Sequence, residues 1–233
     1  FLQTHRIVFA SAGLSHSCVV TAQGIAFSWG GNDCGQLGRT TASTQPVAPV
    51  EFNWKRSTKG FRVVEKVACG DNFSLFQTSM GEVYSCGVGA CTGRQEGADL
   101  SKCCRVEALV GTFIIDIQTG SSHTLCLSQT GDLFVWGNNS HMQLGGTIAD
   151  DHCQIPVRLD SASLFGGKIA SISCGYNFSL VIDDHGRLWG TGNNKYGQLG
   201  VSALRAEGFE LCELPTQAIQ VAAGNAHTLV LCS

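Results

Sequence analysis

GSSHTLCLSQTGDLFVWG, residues 120–137, decides how this chain is read. A glycine opens it and a histidine follows three residues on. An apolar run then leads to a second glycine, and an aromatic run ends on a third. The same order returns from Gly13, Gly70 and Gly175, and its first part returns once more from Gly224. The opening glycines stand 57, 50, 55 and 49 residues apart. Inside each complete copy the spacing is constant. Eleven residues separate the opening glycine from the turn glycine (Gly24, Gly81, Gly131, Gly186), and six more reach Gly30, Gly87, Gly137 and Gly192. Constant spacing within copies and variable spacing between them mark a repeat with loops on its rims.

The columns of the repeat read as strands. Cys18-Val19-Val20, Leu75-Phe76, Leu125-Cys126-Leu127, Leu180-Val181-Ile182 and Leu229-Val230-Leu231 are short apolar runs, and in the complete copies a glycine turn of hairpin type closes them. Phe27, Tyr84, Phe134 and Trp189 follow, and two residues further on the same face come Trp29, Cys86, Trp136 and Thr191. The alternate column, Ala26, Val83, Leu133 and Leu188, is apolar as well. A strand apolar on both faces belongs to a sheet covered on both sides, as in stacked blades. A third block, G-x-N-x-x-G-Q-L-G, spans 30–38, 137–145 and 192–200 and decays at 87–93. It predicts a compact loop with its leucine as an apolar plug. Further strands are expected at 7–10, 63–67, 113–117, 169–172 and 219–222. Several strands per unit of this length predict an all-β chain of β-propeller type.

These blocks, G-x-x-H-S/T, the glycine turn leading to an aromatic strand and Trp-Gly, and G-x-N-x-x-G-Q-L-G, closely resemble the regulator of chromosome condensation repeat family. WD repeats have a shorter period and a Trp-Asp signature missing here, and the paired glycines of kelch repeats are absent. The resemblance implies one propeller domain over 1–233, with units near 1–57, 58–110, 111–164 and 165–213 and a partial unit at 214–233. It also implies seven blades in a full ring. Only four complete repeats and part of a fifth are counted here, and the two ends duplicate the same part of a blade. The expectation is a fragment or an open arc of a seven-bladed propeller.

Composition narrows the function. Only 14% of residues are charged and 43% are hydrophobic, with 29 glycines, which excludes a disordered chain and fits a loop-rich β protein. A net charge of -3 gives no general attraction to nucleic acid or chromatin, which stays open as a partner without support from charge. No apolar run approaches transmembrane length. Twelve cysteines are read as free thiols in a reducing, intracellular compartment, with Cys18, Cys69, Cys126 and Cys174 as small core residues.

The chemistry-bearing residues mostly dissolve into the repeat. Cys86, Cys91, Cys103 and Cys104 lack Cys-x-x-Cys spacing, so no metal site is expected. His16, His123 and His227 share a column with Phe73 and Phe178. A histidine that exchanges with phenylalanine is expected to pack and hydrogen-bond within its own blade, and no nucleophile or acid stands by it. No catalytic residue and no cofactor are assigned, and the chain is read as no enzyme. The connector before the second repeat carries Trp54, Lys55, Arg56, Lys59, Arg62 and Lys66. This basic stretch is the candidate partner-binding loop.

The reading is a non-catalytic protein-interaction or scaffold module within a larger protein or assembly. Its partners would be proteins, among them a small GTPase or subunits of a larger complex. The alternative, which the resemblance supplies, is a guanine-nucleotide exchange factor for a small Ran-like GTPase. Light sensing, also known in the family, depends on clustered tryptophans, whereas Trp29, Trp136 and Trp189 occupy ordinary strand columns.

Overall fold

The computed structural model describes residues 4–40, 45–53, 63–95 and 102–233. Each complete repeat folds as one antiparallel sheet of four strands in chain order. The first holds β1 (Ile7–Ala12), β2 (His16–Thr21), β3 (Ala26–Gly30) and β4 (Gln45–Pro49). The second holds β5 (Val64–Cys69), β6 (Phe73–Thr78), β7 (Val83–Gly87) and the short β8 (Cys104–Arg105). The third is β9 (Ile114–Thr119), β10 (His123–Ser128), β11 (Leu133–Asn138) and β12 (His152–Leu159). The fourth is β13 (Ile169–Cys174), β14 (Phe178–Asp183), β15 (Leu188–Asn193) and β16 (Arg205–Leu211). The partial repeat is the pair β17 (Ala218–Ala223) and β18 (Thr228–Cys232). The chain divides into two compact units, Phe1–Ile117 and Gln118–Ser233.

The strand reading from the repeat columns is met in position throughout and in burial in the complete repeats, whereas in the partial repeat Leu229 and Leu231 are exposed. β6, β10 and β14 are buried at every residue, hence on both faces. The loop leucines are plugs, with Leu37 and Leu144 at 0% exposure and Leu199 at 2%. The Asn and Gln columns hold that loop from inside. Asn32, Asn139 and Asn194 each accept from the plug leucine's N–H through Oδ1, at 3.0, 3.0 and 2.8 Å. Gln36, Gln143 and Gln198 each accept from the N–H two residues before them at 2.9 Å.

The hairpin turns explain their glycine twice over. Gly24, Gly81, Gly131 and Gly186 have φ of 74, 69, 86 and 75°, the left-handed region open to glycine. Their carbonyls also accept from the first strand of the following repeat, at Val64, Ile114, Ile169 and Ala218, over 2.8–3.1 Å. A Cβ on Gly24 would lie 2.2 Å from Val63 Cβ, and one on Gly131 would lie 2.6 Å from Lys168 Cβ. A side chain would therefore strain the turn and push neighbouring sheets apart. The residue that ends each preceding strand closes the same turn. Thr21, Thr78, Ser128 and Asp183 accept through a side-chain oxygen from the N–H four residues on.

The fourth strands and a short helix lie outside the repeat columns. The fourth strands fall in the variable spacing, and their ladders shift register at Ser28/Gly30, Val135/Gly137 and Gly190/Gly192. A short helix, α1 (Ser161–Phe165), starts on Asp160, which accepts from Ser163 N–H, and stops at Gly166 with φ 70°. These are the cap and stop that helices of any length use. Among the described residues no helix is long and apolar enough to cross a membrane.

Candidate functional site

Adjacent repeats meet through a hydrogen-bonded seam that recurs. In the second unit His123 Nε2 lies 3.0 Å from Ser179 Oγ, whose hydroxyl donates to the Gln143 carbonyl at 2.6 Å. In the first unit His16 Nε2 lies 2.8 Å from Ser74 Oγ, and Ser74 donates to the Gln36 carbonyl at 2.8 Å. Serine has one proton and spends it on the carbonyl, so the histidine must donate from Nε2. Thr228 donates to the Gln198 carbonyl at 2.7 Å in the same way. The histidine bond therefore runs between blades, across 56–58 residues of sequence, and the expectation of a bond within one blade is corrected. The ring packs directly against the opening glycine, in space that a side chain there would fill. A Cβ on Gly120 would sit 2.1 Å from the His123 ring, and one on Gly175 would sit 1.9 Å from Phe178. This seat takes either ring, which is why the column exchanges His with Phe.

Burial sets the chemistry of the seam. Desolvation pushes the His123 imidazole down to about 4, against a smaller upward pull from the Phe178 carbonyl. The ring is neutral at physiological pH and is no proton shuttle there. Thr124 occupies the Ser74 and Ser179 column, yet its buried hydroxyl has no hydrogen-bond partner. The repeat before it carries Phe73 in place of the histidine and the decayed loop in place of Gln-Leu-Gly.

The first unit's seam differs by two thiols. Cys18 Sγ lies 3.7 Å and Cys69 Sγ 3.9 Å from Ser74 Oγ, and both are buried. The hydrogen bond to Cys69, with burial, holds the Cys18 thiol up, while the same bond and then His16 pull Cys69 down. The sequence alone reads both as core residues. The available signal was that Cys18 stands where the other copies have Leu75, Leu125, Leu180 and Leu229.

The surface that can meet a partner is the rim of loops. In the second unit the turns at 120–122, 175–177 and 224–227 are stitched side by side, Ser121 N–H to the Tyr176 carbonyl and Tyr176 N–H to the Asn225 carbonyl. Antiparallel order puts the loop at 194–204 on the same rim. It exposes Tyr176 at 44%, Tyr196 at 72% and Leu204 at 77%, with the Lys195 ammonium 5.6 Å from the Tyr196 ring centre. Of the basic stretch expected to bind, Trp54, Lys55, Arg56, Lys59 and Arg62 lie outside the described residues. Lys66 is on β5, pairs with Asp116 on β9 and lies 5.2 Å from the Phe9 ring centre. Trp136 is fully buried in the core, and Trp189 donates to Asp183 at 3.0 Å.

A family model described as RCC1-like domain matches residues 1–233. The ultraviolet-B receptor UVR8 of Arabidopsis thaliana is 30% identical over all of this chain and 52% of its own length. The human RCC1-like G exchanging factor-like protein is 32% identical over 85% of this chain and 42% of its own length. The structure of Prp20p from Saccharomyces cerevisiae, reported with its binding to Gsp1p and histones, superposes with a TM-score of 0.80 at 22% identity. It covers 99% of this chain and 56% of that one. The chain thus spans about half the length of these relatives.

Proposed function

Because the chain belongs to the RCC1-like domain family, we propose that it is a non-catalytic, protein-binding propeller module of an intracellular protein, working through the rim loops of its blades. The observation that carries this is the exposed set Tyr176, Tyr196 and Leu204 on a rim whose backbone is locked between repeats. Tyrosine gives large contact area at low entropy cost, and a pre-ordered loop adds little more. The buried histidines His16 and His123 face seams, where they bond one blade to the next. Affinity capture with the full chain, repeated with Tyr176→Ala, Tyr196→Ala and Leu204→Ser combined, tests the proposal. Loss of the captured protein at unchanged melting temperature supports it, and full retention removes it.

A second reading is favoured by the likeness to the human RCC1-like G exchanging factor-like protein. The module would then accelerate nucleotide release from a small Ran-like GTPase, again by rim contact. Fluorescent-GDP release from such GTPases decides it. No acceleration by the protein that carries this chain leaves the binding-module reading alone.

A further inference from the structure

We infer that the first unit's seam is a zinc site, formed by His16 Nε2, Cys18 Sγ and Cys69 Sγ with the Ser74 hydroxyl as a neutral fourth donor. A His16 ring nitrogen and the two sulfurs all lie within 4.8 Å of one another, and all three residues are buried. Ser74 Oγ stands among them, 2.8 Å from Nε2 and 3.7 and 3.9 Å from the two sulfurs. In a tetrahedral zinc site, bond lengths of about 2.3 Å to sulfur and 2.0–2.1 Å to nitrogen place the ligand atoms about 3.5–3.8 Å apart. The two sulfur distances from Ser74 are already near that range; the Ser74–His16 hydrogen bond must open by about half an ångström, and the remaining pairs contract by at most about an ångström.

Charge selects the ion. Zn2+ binds both sulfurs as thiolates, and the imidazole carries its own proton on Nδ1 once Nε2 binds. The bound site, Zn2+ with two thiolates, a neutral ring and a neutral hydroxyl, has no net charge, which is what a dry seam tolerates. A monovalent soft ion such as Cu+ would leave a buried negative charge. The other seam of the same build is an internal control. It has His123, Ser179 and Cys174 in the matching columns, but Leu125 in place of Cys18. It therefore offers one sulfur and cannot make the set.

The substitutions that break the proposed site put back residues native to their columns. Cys18→Leu installs the residue of the other four copies, and Cys69→Ala installs that of Ala12 and Ala223. Full-length chain, reduced with a phosphine and freed of metal, is titrated with Co2+ alone and then with Zn2+ alone. Wild type is expected to show visible bands of tetrahedral cobalt, thiolate-to-cobalt absorption in the near ultraviolet, and one tight equivalent displaced by zinc with release of thiol protons. Zinc should raise the melting temperature of wild type and of Cys174→Ala. It should not raise that of folded Cys18→Leu or Cys69→Ala, and both should lose the cobalt bands. The inference is overturned by wild type showing no tight equivalent, or by either broken variant keeping the same bands, since the metal would then sit on other cysteines.

Discussion

Ser179→Ala isolates the seam between the third and fourth blades. Ser179, His123 and Gln143 are each at 0% exposure, so water does not replace the lost hydroxyl. The Nε2–H of His123 and the carbonyl of Gln143 both lose their partner. A buried polar group left unsatisfied costs about 1–3 kcal/mol, and alanine recovers roughly 1 kcal/mol because no hydroxyl need be buried. With two groups orphaned, the net expectation is a loss of about 1–5 kcal/mol. Thr124→Val is the matched comparison in the same column and the same unit. It keeps the shape and removes a hydroxyl that has no partner, so stability should hold or rise by up to about 1 kcal/mol. Urea unfolding, followed by tryptophan fluorescence and by circular dichroism, reads both. With m of about 2–3 kcal/mol per M, Ser179→Ala should lower the midpoint by about 0.5–2 M. Equal costs for the two substitutions would refute the reasoning, because orphaned and satisfied hydroxyls would then be equivalent.

Three further outcomes follow from the same geometry. His123 titrates near 4 folded and near 6.5 unfolded, so the unfolded chain binds its proton first. Its contribution is full above about pH 6.5 and falls as pH drops toward 4, by up to about 3 kcal/mol. His123→Phe, which takes the ring of Phe73 and Phe178, should flatten that part of the stability–pH curve, and an unchanged curve would assign the slope to other groups. Leu144→Ala empties a plug at 0% exposure and should cost about 2–5 kcal/mol, read as a lowered urea midpoint. Gly131→Ala forces a side chain into the left-handed turn and onto Lys168. It should cost more than the roughly 1 kcal/mol of the backbone conformation alone, and a smaller loss by calorimetry would mean the sheets part easily.

What the sequence revealed was what recurs. Three strands per repeat, the positive φ at the turn glycine and the leucine plug are set within some twenty residues of chain, and each copy repeats the same solution. The fourth strand was hidden because its residues lie in the variable connectors, and in the second repeat the described part of it is just Cys104–Arg105. The short helix had a legible cap in Asp160 and a legible stop in Gly166, but too few residues for a period to show. The seam was illegible for a different reason. His16 and Ser74, or His123 and Ser179, are one repeat apart, and only stacking brings them together. The thiol pair followed from the same stacking, with one outlier in a leucine column as its trace.

Hydrogen exchange of the chain alone and with its captured protein partner tests the central claim most directly. The account predicts new protection at 120–122, 175–177 and 194–204, on the rim that carries Tyr176, Tyr196 and Leu204, with the seam strands equally slow in both states. Protection centred on the opposite turns at 129–131 and 184–186, with the rim unchanged, would contradict it.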